Sequence, residues 1–238
     1  PMDTRDLYRY AVILAAVILG QSANAQRTTT GKTPASDTTT LVLPRGIEAR
    51  GIGPAAMGGR VSSIAFDPKR PSRYYVGFGM GGIMKTSDNG ISFHPVFAHE
   101  KVATIGDIAV APSDPTVVWV GTGEANDRNS ETWGDGVYLS TDTGTTWKNV
   151  GLGNSKAIAR IAVHPTDPKT AYVAAIGDLW MPGTERGLYK TTDGGATWHK
   201  VLSAQAPYDD RVGAGDVAID PSNPNVVYAA LYARRRRP

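Results

Sequence analysis

Cysteine is absent from this 238-residue chain, which excludes disulfide bonds and thiolate metal sites. Histidine is scarce, and His94, His99, His164 and His199 show no HxxH or HExxH spacing, so we predict neither a metal site nor a cofactor. An excess of one charge is also missing. The formal net charge is +3, and the arginine run 234–237 alone supplies four positive charges. No basic face for nucleic acid is therefore expected, and the run is interpreted as a charged strand edge.

Long apolar runs are missing too, and the longest is the nine-residue stretch 11–19. Arg5 and Arg9 precede it, and Ser-Ala-Asn-Ala (22–25) follows, which is typical of a signal peptide cleaved after Ala25. An uncleaved anchor is the alternative, although the run is too short to span a bilayer. The pattern predicts a signal peptide over 1–25, a disordered Thr-rich linker over 26–43 and a secreted or periplasmic protein with no transmembrane segment in its mature chain.

Three copies of one short motif organise the remainder. They are Thr-Ser-Asp-Asn-Gly-Ile-Ser-Phe (86–93), Ser-Thr-Asp-Thr-Gly-Thr-Thr-Trp (140–147) and Thr-Thr-Asp-Gly-Gly-Ala-Thr-Trp (191–198). Their aspartates recur after 54 and then 51 residues. A fixed period of this size is typical of a propeller or a solenoid.

A second repeated block shares that period. Ile-Ala-Phe-Asp-Pro (64–68) is repeated in similar form at 108–112, 161–165 and 217–221, and each copy is followed by a second proline and then an aromatic residue. Alternating apolar residues predict a short strand that the proline ends. Each unit therefore reads as four strands, A to D, with the aromatic residue on strand B and the aspartate motif between strands C and D.

We predict an all-β fold, a β-propeller of four-stranded antiparallel blades of which about three and a half are present. The predicted propeller segment is 44–238, with blades near 60–97, 104–150 and 157–202 and the start of a fourth at 213–233. Because propellers close with about four to eight blades, we expect the chain to be a fragment of a longer protein. The segment 41–52 is either a strand of a distant last blade or a lead-in.

The aspartate motif has a mechanical interpretation. Its aspartate can accept hydrogen bonds from the amides of its own turn, its glycine supplies a conformation that side chains resist, and its aromatic residue can pack between blades. Identical turns around a ring cannot all be one active site. The residues given this structural role are Asp88, Gly90, Phe93, Asp142, Gly144, Trp147, Asp193, Gly195 and Trp198.

With these motifs the chain resembles the Asp-box (BNR) propellers, and within them bacterial secreted proteins related to the sortilin/Vps10 propeller. The resemblance covers 47–238 and includes the strings at 53–60, 120–124, 133–138 and 186–195. It also extends to xyloglucanase-type glycoside hydrolases, which carry a catalytic aspartate just after strand B of the first blade. The matching position here is Gly79. Sialidases use an arginine motif that contains a proline, which Gly-Arg-Val-Ser (59–62) lacks.

Insertions between strands B and C of blades two and three mark the candidate ligand site. The loops, 124–135 and 178–186, have no counterpart in blade one. Tryptophan faces can stack on sugars or grip peptide side chains, and arginines can clamp a carboxylate. Alternatively, their Arg–Glu pairs satisfy one another. The candidates are Glu124, Asp127, Arg128, Glu131, Trp133, Asp178, Trp180, Glu185 and Arg186.

Two functions follow from this sequence. The first is an extracytoplasmic sortilin/Vps10-like module that binds a peptide or a carbohydrate, without catalysis in this segment. The second is a glycoside hydrolase, xyloglucanase-like or sialidase-like, whose catalytic carboxylates lie partly outside the chain.

Overall fold

The computed structural model describes residues 59–183 and 185–236. The predicted signal peptide, the predicted linker and the segment 41–52 lie outside these residues. Within them, the chain is all-β apart from a short 3-10 helix, Gly153–Ser155. No helix among the described residues is long and apolar enough to cross a membrane.

The strands form three four-stranded antiparallel sheets and one two-stranded sheet, each in sequence order. Blade one contains β1 (Val61–Phe66), β2 (Tyr74–Phe78), β3 (Ile83–Thr86) and β4 (His94–Pro95). Blade two contains β5 (Ile105–Val110), β6 (Val118–Thr122), β7 (Val137–Ser140) and β8 (Lys148–Asn149). Blade three contains β9 (Ile158–Val163), β10 (Ala171–Ala175), β11 (Gly187–Thr191) and β12 (His199–Leu202). The fourth sheet contains β13 (Val212–Ile219) and β14 (Val227–Ala233). This is the partial propeller that the repeats predict.

Strand A of each blade contacts strand A of the next, so β1, β5, β9 and β13 lie side by side. The core lies between the blades rather than inside one blade. Apolar clusters join blade one to blade two around Tyr75 and Ile105, and blade two to blade three around Trp119 and Ile158. A smaller cluster joins blade three to the fourth sheet.

A small residue on strand B allows the next blade to pack closely against it. A Cβ atom on Gly77 would lie 2.7 Å from Cγ2 of Ile105, and one on Gly121 would lie 2.3 Å from Cγ2 of Ile158. The repeated small residue is therefore required because an isoleucine of the following strand A occupies the space of its side chain.

Tryptophans of the repeated motif pack between blades as well. The indole nitrogen of Trp147 donates to the carbonyl of Val96 in blade one, and that of Trp198 donates to the carbonyl of Val150 in blade two, each at 2.7 Å. Phe93 cannot donate in this way and is 42% exposed. At the opposite end, Tyr228 is exposed, whereas its repeat counterparts Tyr75 and Trp119 are buried.

The three aspartate turns share a pattern of hydrogen bonds. Asp142 accepts from the amides of Thr145 and Thr146, each at 2.9 Å, and from the hydroxyls of Ser140 and Thr146. Asp88 and Asp193 accept equivalent bonds from the residues four positions later. The repeated aspartates therefore hold their own turns together.

Candidate functional site

The two inserted loops meet the segments that join strand D to the next strand A, and together they form what we call the loop face. The loop between β6 and β7 donates from the amide of Gly134 to the carbonyl of Lys156 at 2.8 Å. The loop between β10 and β11 donates from the amide of Gly183 to the carbonyl of Asp210 at 3.2 Å. Each loop is thus anchored to the segment that follows its own blade.

Glu124 lies at the base of the first loop and is 1% exposed. Its carboxylate pairs with the guanidinium of Arg60, which precedes β1. A Cβ atom on Gly79 would lie 3.4 Å from Oε2 of Glu124 and 3.5 Å from Cζ of Arg60. The ion pair therefore borders the position where the resemblance to xyloglucanases implies a carboxylate, and a second acid there would face Glu124.

A single buried arginine organises the rest of this loop. Arg234 is fully buried and donates to Oδ1 of Asp127 at 2.9 Å, to the carbonyl of Glu124 at 3.0 Å and to the carboxylate of Glu131. Burial raises the pKa of Glu131, and the charge of Arg234 opposes that shift. The interpretation of the arginine run as a charged strand edge is therefore wrong for Arg234, because β14 ends at Ala233 and the chain then passes beneath the loop.

The second loop is held in a similar way by Arg186, which is 1% exposed. Its guanidinium donates to the carbonyls of Ile176 and Met181 at 2.7 and 2.8 Å, and to that of Asp178. Asp178 accepts from the amides of Trp180 and Met181. Burial lowers the pKa of Arg186, and the charge of Asp178 opposes this. Both residues shape the loop rather than face solvent.

The remaining candidates differ in exposure. Trp133 is 51% exposed, and Nζ of Lys156 lies 5.5 Å from its ring centroid. Arg128 is exposed, whereas Trp180 is half-buried. Glu185 accepts from the amide of Asn154 at 2.6 Å.

One cleft brings part of this set together. It has a volume of about 440 Å³ and lies between the two loops and the segment before β9. Trp133, Asp178 and Arg186 line it, but Trp180 does not, and Met181 takes the exposed position beside it. Sequence reasoning missed Lys156, Arg60 and Arg234 as members of the loop face. The alternative that Arg–Glu pairs satisfy one another is correct in kind, but the partners of Glu124 and Glu131 are Arg60 and Arg234, which lie outside the loops.

A polar chain also crosses the inner strands. The repeat position two residues before the strand-A alanine carries Ser63, Asp107, Arg160 and Asp216 in successive blades. The Ser63 hydroxyl donates to Asp107 at 2.7 Å, and Arg160 lies 3.8 Å from Asp107 and 3.2 Å from Asp216. Burial raises the pKa of Asp107. Among the described residues, no group of three or more histidine, aspartate or glutamate side chains is arranged to hold a metal.

Comparison with known proteins agrees with the propeller fold. The Sortilin-Vps10 family (sortilin, neurotensin receptor 3) matches residues 135–236. A probable oligoxyloglucan-reducing end-specific xyloglucanase from Neosartorya fischeri is 30% identical over 165 residues, which cover 62% of this chain and 18% of that protein. Xyloglucanase Xgh74A from Acetivibrio thermocellus is 26% identical over 178 residues, which cover 59% of this chain and 20% of that protein. The chain thus spans about a fifth of the length of these relatives.

Solved structures show the same fold. An ancestral GH74 enzyme superposes with a TM-score of 0.55 at 22% identity, covering 75% of this chain and 24% of that one. The GH74 xyloglucanase from Xanthomonas campestris superposes with a TM-score of 0.54 at 21% identity, and the match covers 74% of this chain and 27% of that one. The chain is a β-propeller segment that resembles both the sortilin/Vps10 propeller and the GH74 xyloglucanases.

Proposed function

We propose that this chain is part of an extracytoplasmic propeller that binds a peptide or a glycan on its loop face, without catalysis by the described residues. The observation that carries this proposal is the state of the loop-face carboxylates. Glu124 is paired with Arg60, and Asp127 and Glu131 are paired with Arg234. Asp178 and Glu185 accept from backbone amides.

A glycosidase needs two carboxylates that flank the scissile bond, one to donate a proton and one to act as base or nucleophile. The loop-face carboxylates are instead held by arginines or backbone amides, and these contacts stabilise the conformation of the loops. The exposed indole of Trp133 remains available to a ligand, as does the cleft beside it. Aromatic faces on a rigid loop platform are well suited to binding.

Glycoside hydrolysis is the second candidate, because xyloglucanases are among the similar proteins. Its catalytic carboxylates would then lie partly outside this chain, since Gly79 stands where the resemblance implies the first one. Export, with cleavage after Ala25, belongs to the same proposal, and mass spectrometry of the secreted protein should then find Gln26 at its N-terminus.

The test is to incubate the full 238-residue chain with xyloglucan oligosaccharides and, separately, with a library of soluble peptides. We expect retention of at least one probe on the protein and no new reducing ends. Steady release of reducing ends that Glu124→Gln abolishes would show that a loop-face carboxylate is catalytic, and would overturn the proposal.

A further inference from the structure

The cleft on the loop face combines an aromatic surface with the ammonium of Lys156. Its other cation, Arg186, already donates to the carbonyls of Ile176 and Met181. Trp133, Met181 and Pro182 line it with apolar surface, and Lys156 and Asn154 line it as well. Met181 is 60% exposed, and Trp133 is 51% exposed. The walls of the cleft therefore offer flat apolar surface to a ligand.

Lys156, which lines this cleft, is held in an unusual backbone conformation. Its backbone has φ 64 and ψ −37, which is costly for a residue with a side chain. The amide of Gly134 fixes its carbonyl at 2.8 Å, so the loop of blade two keeps the residue in this position. Its ammonium contacts the Trp133 ring, and no carboxylate among the described residues pairs with it. The neighbouring acid Asp178 is buried and accepts from amides of its own loop.

Several backbone amides and carbonyls around the cleft already make hydrogen bonds within the protein. The amides of Leu179, Met181 and Gly183 donate to Glu131, Asp178 and the carbonyl of Asp210. Two carbonyls, those of Gly177 and Met181, accept from Arg234 and Arg186. An extended peptide would gain few main-chain hydrogen bonds there. Recognition must come from side chains, namely an indole face, an ammonium and the Asn154 amide.

We infer that this cleft binds a glycan whose sugar ring carries a carboxylate, such as a hexuronate. This inference rests on the proposed binding function and names its ligand class. The sugar ring stacks on Trp133, and Lys156 turns from the indole to pair with the carboxylate. Asn154 is placed to bond ring hydroxyls.

The experiment measures binding of oligogalacturonate to the full chain by titration calorimetry, beside the same oligosaccharide after reduction of its carboxyl groups. We expect the uronate form to bind at least tenfold more tightly. Lys156→Met should remove that difference, Lys156→Arg should keep most of it, and Lys148→Met, which changes an exposed lysine on β8, should have no effect. Circular dichroism of each variant checks that it is folded.

Equal affinity for the reduced and the uronate forms would overturn this inference while leaving glycan binding by the loop face intact. Tighter binding of hexaaspartate than of oligogalacturonate would also overturn it and would point to an acidic peptide. Lack of binding by oligogalacturonate, with retention of a neutral glycan, would refute the ligand class but not the proposed function. If no glycan and no peptide binds, both this inference and the proposed binding function are wrong.

Discussion

Arg234 and Asp127 are 107 residues apart in the chain, yet Nε of the first lies 2.9 Å from Oδ1 of the second. Arg234 follows β14 of the fourth sheet, and Asp127 lies on the inserted loop of blade two. The same guanidinium also donates to the carbonyl of Gly177, which directly precedes the loop of blade three, at 2.6 Å. One buried cation therefore links the two inserted loops to the fourth sheet.

Replacing this cation should destabilise the protein. Arg234→Met leaves the buried carboxylate of Glu131 without its partner, which typically costs about 3–5 kcal/mol. We expect a clearly lower midpoint of urea unfolding, measured by circular dichroism. Arg235→Met is the matched control, because Arg235 is exposed, and its midpoint should not change. Similar midpoints for the two variants would show that Arg234 does not organise the loops.

The aspartate turns should contribute to stability and not to binding. Asp142→Ala removes an acceptor of two backbone amides, so we expect a loss of roughly 1–3 kcal/mol in the free energy of unfolding. Asp209→Ala, an exposed acid on the segment before β13, serves as the control. Lost ligand binding in Asp142→Ala at an unchanged melting temperature would contradict the structural role of the turn.

Stability should also fall in acid because of these turns. The hydrogen bonds from Ser92 lower the pKa of Asp88 to about 2, and those from Thr197 lower the pKa of Asp193 to about 2. Burial acts to raise the pKa of Asp142, but the hydrogen bonds from Thr146 and Ser140 outweigh it and lower that pKa to about 2.

Because the folded pKa is the lower one, the unfolded chain binds protons first as the pH falls below about 4. The stabilisation is complete above that pH and is lost as the pH approaches about 2. We therefore expect the melting temperature to decline over this window, and to decline less in Asp193→Asn than in the unaltered protein. An equal decline in both would show that the turn carboxylate does not contribute.

Close packing between blades should make the protein sensitive to larger residues on strand B. Gly121→Ala places a Cβ atom 2.3 Å from Ile158 Cγ2, so overpacking should cost about 1–3 kcal/mol. Ile158→Ala removes Cγ2 and Cγ1 but keeps the Cβ atom, which lies 2.6 Å away, so it relieves part of the clash. The double variant should therefore be more stable than the sum of the two single changes implies. Gly215→Ala is the control, since its Cβ would meet only ordinary contacts at 3.6 and 3.7 Å. Additive effects in a double-mutant cycle would contradict the predicted clash.

Much of this fold can be predicted from the sequence because its determinants are local and repeated. The prolines after strand A, the small residue of strand B and the aspartate turn recur in register, and each acts within its own blade or on the next one. The burial of Arg234 cannot be predicted in this way. Its partners lie on loops without repeat counterparts, and periodicity contains no information about which distant side chains meet.

The candidate site shows the same limit. Trp133, Asp178 and Arg186 could be assigned to the loop face because insertions are visible by comparison with blade one. Their individual roles depend on direction and burial, which place Arg186 inside its loop and leave Trp133 outside. Lys156 belongs to a connecting segment and has a positive φ, which usually indicates glycine, so its residue type does not predict its conformation.

The most direct test of loop-face binding compares Trp133→Ala with the unaltered chain, using whichever xyloglucan oligosaccharide, oligogalacturonate or peptide binds it most tightly. An exposed aromatic anchor in a site of this kind typically contributes about 2 kcal/mol or more. We predict affinity at least tenfold weaker in Trp133→Ala, with a melting temperature nearly unchanged because half of the side chain is already exposed. Unchanged affinity in Trp133→Ala, together with binding that is lost in Thr145→Ala on the aspartate turn, would place the ligand on the opposite face and contradict the account.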